Sequence, residues 1–93
     1  MINKNILKIR RKLDILDNSF LDLIKKRSKL VDQVLKNKKF KRQIVDKKRI
    51  SIILRNIDKK SRKKNIDTQI TKKIWDSMIK AFIDYEFRNF KKK

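Results

Sequence analysis

Apolar residues recur along the first third of the chain in a three–four alternation: Ile6, Ile9, Leu13, Leu16, Phe20, Leu23, then Leu30 and Val34. That spacing is one face of an α-helix with a heptad rhythm. It predicts a helix over about residues 3–39, about 55 Å long at ~1.5 Å per residue. A chain of 93 residues does not need so long a helix for its own core. The strict heptad therefore suits a coiled-coil-like contact with another chain as well as packing within this one. One position in the line is out of character. Between Leu23 and Leu30 the expected apolar residue is Arg27.

The pattern breaks across Lys36–Gln43, a basic stretch whose one apolar residue is Phe40, and reads as a loop. Asp46 has the character of an N-cap, and Ile50, Ile53, Leu54 and Ile57 form the stripe of a second helix, about 46–63. A polar break follows at Lys59–Asn65. Asp67 is the next N-cap, opening a third helix, about 67–90, with the stripe Ile70, Ile74, Trp75, Met78, Ile79, Phe82 and Ile83. The basic tail Lys91–Lys93 suits a helix C-terminus and is expected to fray. There is no internal repeat and no linker long enough to divide domains. The expectation is one all-α domain, residues 1–93, of three helices with a long first helix. A chain this short buries only about 60–65% of its unfolded surface, so a monomer would be marginal.

Composition narrows the chemistry. The chain has no glycine, proline, cysteine or histidine. Glycine-rich phosphate loops and most tight hairpins are excluded. So are disulfides, thiolate metal sites and imidazole bases, and with them most hydrolase triads and zinc sites. The longest aliphatic run, around Ile52-Ile53-Leu54, is far too short to span a membrane. No apolar leader follows the basic N-terminus. A cytoplasmic protein with no membrane partner is expected.

A formal net charge of +20 points to an anionic partner such as nucleic acid, an acidic surface or a small polyanion. It also fits a bias toward the Lys, Ile and Asn that A/T-rich codons supply. Lysine outnumbers arginine 22 to 8. The arginines are thus the more informative cations, because a planar fork matches a carboxylate.

Four charges sit where apolar residues are expected. Arg27 interrupts the seam. Lys38 follows it by eleven residues, three turns and on the same face, about 16 Å further along the axis. Arg49 lies beside the stripe of the second helix, and Glu86 continues the line of Trp75, Ile79 and Phe82. Long side chains snorkelling from the edge of a core explain Lys38 or Arg49 taken singly. They explain Arg27 less well, because a buried guanidinium without an anion costs several kcal/mol. Glu86 is one possible anion. Three cations to one acid leave room for a ligand with two carboxylates. Arg10 precedes Arg27 by seventeen residues, about 25 Å on one rigid helix, so it joins such a site only from a second subunit. A two-fold dimer with antiparallel long helices would deliver it.

The run IRRKLDILDNSFLDLIKKRSKLVDQVLKNKK resembles the first helix of the all-helical chorismate mutases, which carry an arginine and, eleven residues on, a lysine: Arg27 and Lys38 here. IVDKKRISIILRNI resembles the start of their second helix, with its D-x-x-R element at Asp46 and Arg49, and IWDSMIKAFIDYE the end of their third. The resemblance implies an intertwined antiparallel homodimer whose two sites are each closed by Arg10 of the other chain. It implies rearrangement of chorismate to prephenate, on the route to phenylalanine and tyrosine, without metal or cofactor. Arg27, Arg10 and Arg49 would bind the substrate carboxylates, and Lys38 would reach the ether oxygen. Asp46, Ile50 and Phe82 would complete the substrate wall, and Glu86 would stand as a catalytic donor.

Three positions depart from the pattern. Ile50 replaces a glutamate that takes the substrate hydroxyl, Phe82 a small hydroxyl residue, and Glu86 the usual glutamine. As a donor, Glu86 would have to carry a proton. Isochorismate pyruvate lyases share the frame, and nothing in the residues separates them. A nucleic-acid-binding protein is not the expected reading. The basic residues are spread over all faces, with no recognition turn and no aromatic platform. A purely structural coiled coil accounts for the heptad but not for Arg27.

Overall fold

In the computed structural model, residues 3–91 are described. They form three α-helices and one short 3₁₀ turn, with no strand among them: α1 (Lys4–Asn37), the turn Lys41–Gln43, α2 (Lys47–Lys63) and α3 (Thr68–Asn89). No described helix is long and apolar enough to cross a membrane. Contacts divide the chain into two compact units, one up to Val31 and one from Asp32 onward. Of the expected basic tail, Lys91 is described and Lys92 and Lys93 lie outside the described residues, as do Met1 and Ile2 at the other end.

From Lys4 to Val31 the first unit is helix. Asn3 opens it, its Oδ1 accepting from the Ile6 N–H at 2.9 Å and so satisfying one of the free donors of the first turn. The heptad seam is present and unburied. Its residues retain from 41% of their exposure at Ile6 to 63% at Leu16, and Leu7, Ile15 and Leu21 off the seam are exposed too.

In the second unit the end of α1, the 3₁₀ turn, α2 and α3 come together. α2 packs on α3. Two hydroxyls are buried in this contact, where the Oγ of Ser61 lies 2.8 Å from Oγ1 of Thr71 and 2.6 Å from the Ile57 carbonyl. The most buried apolar side chains are Ile44, 3% exposed, and Leu35, 8% exposed.

The stretch read as a loop, Lys36–Gln43, is more ordered than that. α1 runs on to Asn37, and Lys41–Gln43 make a 3₁₀ turn. One side chain accounts for both. Gln43 Oε1 accepts from the Lys39 and Phe40 N–H groups at 2.6 and 2.9 Å, replacing the helix carbonyls those donors would otherwise need. The Arg42 guanidinium stacks 4.5 Å over the Phe40 ring. The turn directs Ile44 inward.

Asp46 and Asp67 cap α2 and α3, accepting from the Arg49 and Gln69 N–H groups at 3.0 and 2.8 Å. Between these helices a chain without glycine must still reverse. Asn65 takes the left-handed conformation, with φ 56°. Its N–H reaches the Arg62 carbonyl at 3.2 Å, and the next N–H, of Ile66, reaches Ser61 at 2.9 Å. These are the two bonds of a Schellman ending, with asparagine in glycine's place. A β-branched residue there loses about 1–2 kcal/mol to the clash of its Cβ with the carbonyl. Asn65→Val should lower stability by that amount in urea unfolding at fixed protein concentration, whereas Asn65→Gly should match or exceed the parent chain.

Candidate active site

The end of α1 and the last turns of α3 meet at a pair of opposite charges. Lys38 is the first residue after α1, its N–H held by the Leu35 carbonyl at 3.1 Å. Its Nζ donates to Glu86 Oε1 at 2.8 Å and lies 3.5 Å from the Ile44 carbonyl. Both side chains are largely shielded, 16% exposed for Lys38 and 9% for Glu86. At such burial each charge depends on the other. Removing one partner leaves an uncompensated ion, at a cost of about 3–5 kcal/mol. The arrangement is a shielded ammonium beside a carboxylate, on elements 48 residues apart in sequence. It can supply a charged hydrogen-bond donor to an oxygen that gains negative charge.

A second polar tie lies one residue back on α3. The Tyr85 hydroxyl donates to Asp32 Oδ1 at 2.6 Å. Phe82, also on α3, meets the Tyr85 ring edge to face, with centroids 6.4 Å apart and planes at 82°. The bond to Asp32 holds the Tyr85 phenol above its ordinary value of 10.0. Desolvation and the Asp32 charge add to the rise, and Arg88 opposes it. No pattern in the sequence announced Asp32 and Tyr85, which are 53 residues apart. The one local signal was Tyr85's place beside Glu86.

The other expected site residues fall as follows. Ile50 and Phe82 are half-buried. The Asp46 carboxylate is engaged as the cap of α2, and it holds Arg49 by its backbone N–H while the Arg49 side chain is exposed. Arg27 and Arg10 belong to the first unit. Arg27 is half-buried with its Nε shielded from solvent, and Arg10 is exposed. Seventeen residues of continuous helix keep those two about 25 Å apart within one chain. No three or more Asp or Glu side chains among the described residues cluster in a way that could hold a metal ion.

Fold and site together define an all-helical protein built around a shielded lysine–glutamate pair. Residues 9–87 match the family model described as chorismate mutase type II, so the chain belongs to that family. The match covers every candidate site residue from Arg10 to Glu86. Comparison with curated proteins and with solved structures gave no match.

The chain has a single tyrosine, so its titration can be read directly. The raised Tyr85 phenol means the hydroxyl keeps its proton up to pH 10 and the tie is lost in stronger alkali, as pH rises through the folded-state value. Ultraviolet absorbance titration should place the phenol's midpoint above 10.0, and Asp32→Ala should bring it back toward 10.0.

Proposed function

We propose that the protein is a cytoplasmic chorismate mutase, converting chorismate to prephenate in phenylalanine and tyrosine formation. The observation that supports this most directly is the 2.8 Å Lys38–Glu86 pair within a chain of the chorismate mutase type II family. The rearrangement is unimolecular. One ether C–O bond breaks as one C–C bond forms, and no nucleophile, cofactor or net proton transfer is required. What it needs is a folded substrate conformer and a donor for the ether oxygen as negative charge builds on it. Lys38 is that donor, and a positioned charge of this kind contributes about 3–4 kcal/mol of transition-state stabilisation. Glu86 joins it as a second donor when its carboxyl carries a proton. Arg27 and Arg49 take the two carboxylates, with Asp46, Ile50 and Phe82 around them.

The bare seam on α1 supports the rest of the proposal. The seam residues from Ile6 to Leu30, Ile6, Ile9, Leu13, Leu16, Phe20, Leu23 and Leu30, are each more than 40% exposed, a surface that water disfavours and that a second copy of the helix would cover. In an intertwined antiparallel homodimer, Arg10 of one chain would reach the site holding Arg27 of the other.

Two measurements test this. Absorbance loss of chorismate with identification of prephenate, run beside isochorismate with assay for released pyruvate, decides between mutase and lyase. In that assay Lys38→Ala should lower kcat by at least about 100-fold. Glu86→Gln, which keeps a hydrogen-bonding group at that place, should retain turnover, while Glu86→Ala should lower it. Equal turnover in wild type and Glu86→Ala removes Glu86 from the chemistry.

The second test reads the shared site. Arg10→Ala and Arg27→Ala should each be nearly inactive alone. Unfolded together and refolded, they should recover about a quarter of wild-type activity, because half the dimers are mixed and each mixed dimer has one intact site. No recovery would mean that both arginines act within one chain.

A further inference from the structure

Lys38 is poorly placed to hold its own position. It stands just beyond α1, where backbone hydrogen bonding by the helix has ended. Its ammonium rides on a flexible four-carbon stem with large rotamer entropy. Glu86 fixes it only as well as α3 itself is fixed. One ion pair between two elements does not by itself set the rotation and slide of α3 against α1. Close by, however, is a second bond between the same two elements. Tyr85 precedes Glu86 by one residue and is therefore turned about 100° from it around α3. Asp32 precedes Lys38 by six residues, more than a full turn back along α1. The Tyr85–Asp32 bond, at 2.6 Å, thus leaves α3 in a different direction and meets α1 at a different height from the Lys38–Glu86 pair at 2.8 Å. Two such ties fix both rotation and slide. Phe82, packed edge-on to the Tyr85 ring, holds the phenol in the orientation the bond requires.

We infer that Asp32 and Tyr85, backed by Phe82, are positioning residues that set the reacting position of Lys38 and Glu86. Neither need touch substrate. This rests on the reading of Lys38 and Glu86 as the reacting pair. It also gives Phe82 a role: the ring at a place where the family usually has a small hydroxyl supports the phenol that registers α3 against α1. A misplacement of about 1 Å at a charged donor is enough to cost up to 100-fold in rate.

The experiment is a double-mutant cycle on the full chain with Tyr85→Phe, Asp32→Ala and the pair. Tyr85→Phe removes the hydroxyl but keeps the ring against Phe82 and changes no charge. Asp32→Ala removes the acceptor with a good helix former and keeps the tyrosine. Each is expected to lower kcat about tenfold with KM within about twofold, and the double variant to do no more than either single one. Asp32→Asn, which keeps an acceptor oxygen, should recover most of the loss. A purely structural role would instead lower the unfolding midpoint and leave kcat of the folded enzyme unchanged. That result, additive losses, or a change confined to KM would overturn the inference.

A second readout needs no turnover. The side-chain ¹⁵N signal of Lys38, identified by its absence in Lys38→Gln, should stand apart from the solvent-exposed lysines in wild type and Asp32→Asn. In Tyr85→Phe and Asp32→Ala it should move toward them. If wild type fails to convert chorismate while this signal behaves as stated, the mutase reading fails and the positioning role stands. If wild type converts chorismate but the signal and kcat are indifferent to both variants, the positioning role alone fails.

Discussion

An ammonium withdrawn from water requires a counter-charge, and much of the second unit is arranged around meeting that need at Lys38. The ion pair with Glu86 forms at the residue where α1 stops, directly after Asn37. The stop is made by Gln43, whose side-chain oxygen takes the two N–H groups that α1 leaves without carbonyls. The same turn sends Ile44 inward, where its side chain is buried and its carbonyl faces the ammonium at 3.5 Å. A single amide side chain thus ends a helix, seats a core residue and positions a charge.

The contrast between the two units is one of burial. From Asp32 onward the chain finds partners for its apolar and polar groups: Leu35 and Ile44 in the small core, Ser61 with Thr71 in the contact of α2 and α3. Before it, α1 presents apolar side chains that stay mostly exposed. A helix of that length is not held by intrinsic propensity alone, because in water most helical stability comes from packing an apolar face. The cover supplied by a second chain would therefore do two things at once. It would stabilise α1, and it would bring in the distant Arg10. Folding, assembly and completion of the site would become a single event, which suits a chain too short to bury a large core of its own.

Much of this was legible in the sequence, and the illegible part has a common cause. Heptad spacing marked α1, and Asp46 and Asp67 marked the starts of α2 and α3, because periodicity and capping are local. The resemblance carried by Arg27, Lys38 and Arg49 agrees with the family match. Arg27 stood out because it broke a regular line, and Glu86 because it continued one. The features that escaped depend on chemistry between distant residues or within one turn of unusual backbone. Gln43 looks like any polar loop residue until its oxygen is seen to close α1. Asn65 gives no sign of a left-handed ending in a chain where glycine would have signalled it. Tyr85 and Asp32 meet only because two helices cross there, and no spacing rule links positions 53 apart.

The departures from the family pattern also fit one another. Where glutamine is usual, a neutral amide offers the lysine a dipole. This chain carries 30 cationic side chains against ten acidic ones, and its sole glutamate stands at that place. In so positive a field an ammonium shielded from water is harder to keep in position, and a full opposite charge is the stronger restraint. On the proposed reading, the carboxylate would have to give way when a substrate oxygen takes its place beside Lys38. Holding such a strongly coupled pair in register then becomes the more demanding task. Phe82, Tyr85 and Asp32 supply a second line of contact across the same two elements. On the proposed reading, the bulky ring in place of a small hydroxyl and the carboxylate in place of an amide would serve one end: Glu86 holds Lys38 directly at 2.8 Å, and Phe82 backs the Tyr85–Asp32 bond beside it.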